Sequence, residues 1–180
     1  TSEADDRYLA ETEIPYPVVL INRDLSNHAS IMESPKGGAA AARLLLDSGA
    51  RHPAVLSVRG AARTITTLGR AGAFREAISA SLDRPAMSIE ARGRNESDGY
   101  AAMRVHLQRH PETDGLYAVN DTLAIGAYRA IHESGRSIPG DIRVVGVGDH
   151  STSPYLNPPL SCVGSSEQAL HKGAAELLLD

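Results

Sequence analysis

Short apolar runs rich in β-branched residues alternate along this chain with Ala- and Leu-rich stretches of helical period. The apolar runs lie at residues 18–21, 54–58, 87–90, 116–119 and 143–147. Between them, apolar side chains recur at three- and four-residue spacing, as at Phe74, Ala77, Ile78 and Leu82. Near-continuous apolar strands that alternate with helices are typical of a parallel sheet covered on both faces. The pattern therefore predicts an α/β fold of doubly wound parallel sheets.

The two ends of the chain fit this pattern less well than the middle. Residues 1–13 are polar and acidic, and the pattern predicts only one strand before the next helix. A last helix is predicted from about Ser165, which has capping-box spacing to Gln168, and it carries an apolar stripe that needs a surface to pack on. We therefore expect a nearly complete α/β domain at 34–161, with fragments of a second domain on either side.

Charge and cysteine content narrow the classes of function. The 180 residues carry a formal net charge of −4, and the Lys and Arg residues are scattered. Because phosphate contacts dominate the affinity of DNA binders, any DNA-binding part is expected outside this chain. No apolar run approaches the roughly 18 residues of a membrane span, and no signal segment opens the sequence. The single cysteine, Cys162, excludes an internal disulfide and is predicted to be a small buried hydrophobe.

Doubly wound sheets bind ligands beyond the carboxyl ends of their strands. The polar residues that follow the five predicted strands are Asn22, Arg23 and Asp24; a 60–67 loop leading to Arg70 at a helix start; Arg92, Arg94 and Asn95; Asn120 and Asp121; and Gly148, Asp149 and His150. Single members of this set have plainer roles open to them. Asp121 and Ser97 suit a helix N-cap, Arg92 and Arg94 suit a solvated surface, and Asn120 could satisfy loop amides.

Signals for catalysis are weak in this sequence. No nucleophile elbow, phosphate-binding Walker loop or zinc-protease motif is present, and the glycines at 146 and 148 lack the third glycine of a dinucleotide fingerprint. Asp149 beside His150 is the only combination that resembles an acid/base pair. We predict no catalytic residue, no metal site and no cofactor.

Several strings of residues together resemble the effector-binding domain of the LacI/GalR family. They are DGLYAVNDTLAIGAYRA at 114–130, IPGDIRVVG at 138–146 and PYLNPPL at 154–160, with PVVLINR at 17–23, RAGAF at 70–74 and AAELLL at 174–179 in the same order and spacing. The resemblance covers the chain from about Ile14. Such proteins place a helix-turn-helix before a two-lobed sensor related to periplasmic sugar-binding proteins.

The resemblance implies a division of the chain between two lobes. Residues 1–33 would be a remnant of the N-terminal lobe, 34–161 the C-terminal lobe, and 162–180 a return segment into the first lobe. The helix-turn-helix domain would be absent from this chain. The implied protein is a cytoplasmic, homodimeric transcription repressor and not an enzyme. It would bind a sugar, sugar acid or phosphorylated sugar between its lobes and operator DNA through the missing domain, without contact with a membrane.

The resemblance also implies the ligand contacts. Arg70 matches an arginine that commonly clamps the effector, and Thr66 lies one helical turn before it. Asn120 closes the AVND string, Asn22 matches a position that is commonly Asp or Asn, and Arg94 falls near a position that stacks on the ligand.

One departure bears on the type of ligand. Gly148 stands where the family often has an aspartate that holds sugar hydroxyls. A cleft with Arg70, Arg94 and Arg23 and few carboxylates favours an anionic ligand. Alternatively, Asp149 replaces the missing carboxylate and the site takes a neutral sugar.

Two other functions remain open from the sequence. The same fold serves periplasmic or lipoprotein substrate-binding proteins of sugar transporters, which a signal peptide encoded upstream would indicate. A flavodoxin-like α/β enzyme that uses Asp149 and His150 is the third possibility, although no substrate is suggested.

Overall fold

A computed structural model describes residues 3–22, 25, 27–32, 36–59, 65–148 and 150–179. The helices are α1 (Glu3–Glu11), α2 (Lys36–Asp47), α3 (Ile65–Leu82), α4 (Glu96–Arg109), α5 (Asp121–Glu133) and α6 (Glu167–Leu179). The strands are β1 (Val19–Ile21), β2 (Ala29–Ile31), β3 (Pro53–Val58), β4 (Met87–Ala91), β5 (Gly115–Ala118), β6 (Arg143–Val147) and β7 (Ser161–Val163). None of the helices in these ranges combines the length and apolarity needed to span a membrane.

Five strands form one parallel sheet in the order β4-β3-β5-β6-β7. All six residues of β3 and all four of β5 are buried, as expected for central strands covered on both faces. The predicted α/β architecture with a doubly wound parallel sheet is therefore confirmed.

Two pairs of helices cover this sheet. The chain leaves β3 for the outer strand β4, then returns past β3 to β5 and continues to β6. Because parallel crossovers are right-handed, this reversal of direction puts α3 on one face and α4 and α5 on the other. Helix α2 packs beside α3, and α4 packs beside α5. The core includes a stacked pair of rings from Phe74 on α3 and Tyr117 on β5, with centroids 5.1 Å apart.

A smaller parallel sheet pairs β1 with β2, and α6 packs on both strands. The prediction of a single strand before α2 was wrong, because the second strand is only three residues long and includes the polar Ser30. Helix α1 was also not predicted, since its sequence is acidic and carries no apolar stripe. Strand β7 was not predicted because it is only three residues long. It adds residues 161–163 to the large sheet by pairing with β6. The division into lobes at 33/34 and 161/162 stays a prediction, and residues 33–35 lie outside the described ranges.

The starts of two helices, α4 and α6, differ from the expected caps. Asn95 rather than Ser97 caps α4, and its side chain and that of Asp98 form a reciprocal capping box. Helix α6 begins at Glu167, and Ser166 rather than Ser165 accepts a hydrogen bond from the Ala169 amide at 3.2 Å. In each case the cap is the residue whose side-chain oxygen accepts a hydrogen bond from the amide three positions later in the chain. The neighbouring residues, although suitable as caps by type, do not make this hydrogen bond.

Candidate functional site

The order of strands reverses between β3 and β5, and a doubly wound sheet opens a crevice at the carboxyl ends of such a pair. The Val119 amide donates to the Leu56 carbonyl at 3.0 Å, which holds the two strand ends together. Arg70 approaches this point from α3, and its Nη1 donates to the Val119 carbonyl at 3.1 Å. The structure therefore brings Arg70 to the residue that directly precedes Asn120.

The sequence suggested that Arg70 lies at the start of a helix. In the structure α3 begins five residues earlier, at Ile65, so Arg70 lies inside the helix. Its side chain is only 6% exposed, so the guanidinium is set into the crevice rather than projecting from it. A guanidinium carries five N–H donors, and a ligand can share it with the Val119 carbonyl.

Asn120 is the N-cap of α5. Its Oδ1 accepts hydrogen bonds from the Leu123 amide at 2.8 Å and from the Thr122 hydroxyl at 3.1 Å. The residue is only partly buried. The cap uses the oxygen alone, so the Nδ2 group, a double donor, stays available for a ligand. The sequence offered the satisfaction of loop amides as the alternative to ligand binding at Asn120; the structure makes it a helix cap instead, and this role is compatible with a ligand contact through Nδ2.

Asp121 is not the cap of α5, and sequence reasoning missed its actual role. It is 3% exposed, and its carboxylate accepts hydrogen bonds from the Val147 amide at 2.6 Å and the His150 amide at 2.8 Å. The Ser153 hydroxyl also donates to it, at 3.2 Å. The carboxylate thus holds the described residues on both sides of position 149. The only feature of the sequence that pointed to this role was the position of an acidic residue directly after the end of a strand and the N-cap of the next helix.

Cys162 is half-buried on β7, with its thiol 3.5 Å from Asp121 Oδ2 and 3.6 Å from Oδ1. The expectation that it is only a small buried hydrophobe was wrong, because the thiol donates a hydrogen bond to the Asp121 carboxylate. Nearby on α5, burial and, to a smaller extent, the ionised form of Cys162 raise the pKa of Tyr128 to about 12. The Tyr128 phenol is therefore neutral across the physiological range.

The loop after β6 begins at Gly148, whose φ is 98°. Residues with a side chain rarely adopt this left-handed conformation, so the backbone itself favours glycine over the aspartate that the family resemblance would place there. The His150 ring accepts a hydrogen bond from the Thr152 amide at 3.3 Å through Nδ1, which is a turn-forming contact. Asp149 lies outside the described residues.

The other predicted contact residues lie at separate places. Asn22 follows β1 in the small sheet, where its φ is 56° and its amide donates to the Ile31 carbonyl at 2.9 Å. Arg94 is exposed in the loop between β4 and α4. Thr66 lies in the first turn of α3, and its side chain is outside the described part of the chain, as are Arg23 and Asp24. Among the described residues, no three His, Cys, Asp or Glu side chains are grouped to hold a metal ion.

Residues 42–180 match the family of periplasmic binding protein-like domains. The chain is 40% identical to the lactose operon repressor of Rhizobium radiobacter over 82 residues, which are 46% of this chain and 73% of that protein. The chain belongs to the LacI/GalR family. This LacI/GalR-family chain is also 28% identical to the HTH-type transcriptional regulator CelR of Thermobifida fusca over 80% of its own length and 42% of that regulator.

Solved structures agree with this assignment. The LacI family transcriptional regulator from Arthrobacter sp. FB24, in complex with lactose, superposes with a TM-score of 0.78 at 28% identity. The match covers 91% of this LacI/GalR-family chain and 61% of that one. The chain thus spans less than two thirds of the length of CelR and of this solved structure.

Proposed function

We propose that this chain is the effector-sensing domain of a LacI-type DNA-binding transcription repressor. The observation that carries the proposal is the meeting of Arg70 with the Val119–Asn120 segment at the point where strand order reverses. A buried guanidinium beside a partly exposed amide donor is a combination of N–H groups that binds hydroxyl, carboxylate or phosphate oxygens. That set suits a sugar or sugar derivative. The relatives named above are regulators, which favours this role over that of a transport protein.

The proposed ligand site extends beyond these two residues. Asn22, Thr66, Arg94 and Asp149 complete the set that similarity to the family suggests, and the ligand would lie between the two lobes. Operator DNA would be bound through a helix-turn-helix domain outside this chain. An effector can regulate only if it binds one arrangement of the lobes more tightly than the other.

An enzyme that uses Asp149 and His150 is not favoured by the contacts of His150. A general base needs an unprotonated ring nitrogen directed at a substrate. Because Nδ1 of His150 accepts the Thr152 amide, the proton of the neutral ring lies on Nε2, which then cannot accept another. The relatives of this chain are transcriptional regulators.

The direct test uses the full-length protein with its own N-terminal region. Duplexes enriched by the protein from a random DNA library would supply the operator, and its affinity would be measured by fluorescence anisotropy with and without lactose, lactobionate, ribose and ribose 5-phosphate. We expect enrichment of a two-fold symmetric site and a change in its affinity with at least one of these compounds. Failure to enrich any sequence, or a signal peptide encoded upstream of Thr1, would contradict the proposal.

A thermal-shift measurement on the same protein checks ligand binding separately from DNA binding. A compound present at about 100 times its Kd should add roughly 2.7 kcal/mol to the apparent free energy of unfolding. Such a shift with no effect on DNA would indicate a binding protein that does not regulate transcription.

A further inference from the structure

The buried carboxylate of Asp121 joins two parts of the molecule that the chain keeps apart. On one side it accepts the Val147 and His150 amides and the Ser153 hydroxyl, all in the segment that follows β6. On the other side it faces the Cys162 thiol on β7. The residue itself stands at the first position of α5, directly after Asn120. One carboxylate therefore fixes the loop and β7 relative to the proposed ligand contact.

Strand β7 is the route from the large sheet to the small one. It pairs with β6 at one edge of the large sheet and leads into α6, which packs on β1 and β2. The space around the carboxylate is tight, since a Cβ at Gly146 would overlap Asp121 Oδ1 and lie 2.8 Å from Leu160 Cδ2. The tight fit leaves the carboxylate little freedom to move independently of β6, so a displacement of the loop is passed on to its other partners.

We propose that Asp121 is a positioning residue of the effector site, which couples the loop after β6 to β7 and so to the segment that enters α6. The inference rests on the proposed sensing function for its biological meaning. Asp121 needs no contact with the ligand in this role. A ligand that displaces Gly148 or His150 would move the Asp121 carboxylate, and this movement would displace β7.

A carboxylate is the group that these partners require. Val147 and His150 each present an N–H donor, and Ser153 and Cys162 add an O–H and an S–H. Only an acceptor with two oxygens can satisfy donors on both sides. In Asp121→Asn one oxygen becomes an NH2 group, which must face either the Val147 or the His150 amide, whichever way the side chain is turned.

The matched control is Asp141→Asn. Asp141 also accepts a backbone amide and a hydroxyl, both from Ser137, at 2.8 and 2.6 Å. It lies in an exposed turn before β6, at the opposite end of that strand from the proposed site. The two variants remove the same charge and the same kinds of hydrogen bond, but only one of them touches the loop and β7.

The first measurement is amide hydrogen exchange in the full-length protein without ligand. In Asp121→Asn we expect faster exchange in both the 147–153 segment and β7, with the other strands unchanged, and neither effect in Asp141→Asn. Unchanged exchange in either segment would overturn the coupling, and so would a uniform increase through the whole sheet, which indicates general destabilisation. This readout does not depend on whether the protein senses a sugar.

The second measurement separates positioning from stability by using lactose, lactobionate, ribose and ribose 5-phosphate as probes. For whichever of these the wild type binds, Asp121→Asn should raise the Kd by on the order of tenfold or more, whereas Asp141→Asn should leave it unchanged. Cys162→Ala should keep the Kd but reduce the change in operator affinity that the probe causes. Cys162→Ser, which restores a donor to the carboxylate, should recover it.

The outcomes separate the two hypotheses. If the wild type binds none of the four compounds but Asp121→Asn loosens both segments, the proposed sugar-sensing function fails and the coupling stands. If a probe binds Asp121→Asn and the wild type equally well, the positioning role is wrong and the sensing function stands. An equal response of the Ala and Ser variants at Cys162 would contradict transmission through β7.

Discussion

At the scale of single residues, the guanidinium of Arg70 is held at the end of β5 by its bond to the Val119 carbonyl. We predict that Arg70→Ala in the full-length protein weakens effector binding by about 2 to 4 kcal/mol, because a buried ligand oxygen then loses a charged partner. Calorimetry on the folded variant would measure the loss. Operator affinity without effector should stay roughly unchanged.

The control for this prediction is Arg75→Ala, which removes a partly buried arginine from the same helix. Equal losses of effector affinity in the two variants would show that damage to α3, rather than a missing ligand contact, explains the effect.

The arginines proposed for the site and the glycine at position 148 together favour an anionic ligand over a neutral one. With Gly148 fixed by its left-handed backbone, the loop lacks one carboxylate that would repel an anion. We predict that lactobionate binds more tightly than lactose, and ribose 5-phosphate more tightly than ribose, because a guanidinium grips planar anionic groups bidentately. Calorimetry on the matched pairs decides this point. Tighter binding of a neutral member, abolished by Asp149→Asn, would show that Asp149 supplies the carboxylate instead.

At the scale of elements, α4 and α5 approach so closely that their backbones touch. A Cβ at Gly126 would overlap the Glu96 carbonyl and lie 2.7 Å from the Tyr100 nitrogen. We predict that Gly126→Ala lowers the free energy of unfolding by about 1 to 3 kcal/mol, since the helices must move apart. Thermal or urea denaturation would measure it.

Gly72→Ala is the matched control, because a Cβ there has no heavy atom within 4 Å. In the interior of α3 this change should stabilise by roughly 0.5 to 1 kcal/mol through helix propensity. Destabilisation of similar size at both positions would contradict the explanation by close contact.

The junction of α4 with the turn before β5 contains a buried histidine. His106 packs on the ring of His110 at 4.7 Å between centroids and pairs with the Thr113 hydroxyl at 2.9 Å. Burial and, to a smaller extent, the charge of His110 lower the pKa of His106 to about 4, and Glu112 opposes the change. The imidazole is therefore neutral in the folded protein over most of the range in which a free histidine, with a pKa of about 6.5, is protonated.

We predict a stability that depends on pH through this histidine. Between pH of about 6.5 and 4 the unfolded chain binds more protons at this position, so the free energy of unfolding falls as the pH is lowered and is fully retained above 6.5. His106→Gln keeps a partner for Thr113 but cannot titrate, and its unfolding curve should depend less on pH in this window. His171→Gln, an exposed histidine on α6, should leave the wild-type slope in place. An unchanged slope in His106→Gln would exclude this residue as the cause.

At the scale of the whole molecule, a repressor that reads a two-fold symmetric operator requires a two-fold symmetric protein. We predict that the full-length protein is a homodimer at micromolar concentration. Sedimentation velocity would establish the mass in solution. A monomer that still bound a palindromic operator tightly would contradict the prediction.

The sequence by itself determined the fold class and indicated the sheet edge at which the proposed site lies. Four of the five predicted strands became four of the five strands of the large sheet, because buried parallel strands need continuous apolar runs whatever surrounds them. Arg70 and Asn120 could be selected because ligand crevices form where strands end. The short strands β2 and β7 were not predicted, because three residues are too few to show a hydrophobic pattern. Such strands form only because a neighbouring strand is there to pair with them.

Only the tertiary structure decided what the polar residues at that edge do. The partners of Asp121 are 26 to 41 residues away along the chain, so no local pattern distinguishes this buried carboxylate from a helix cap. The left-handed backbone at Gly148 and the burial of Arg70 likewise follow from where the surrounding elements pack. Hydrophobic periodicity is a property of each segment alone, whereas hydrogen-bond partners and the burial of charge arise only when distant segments meet.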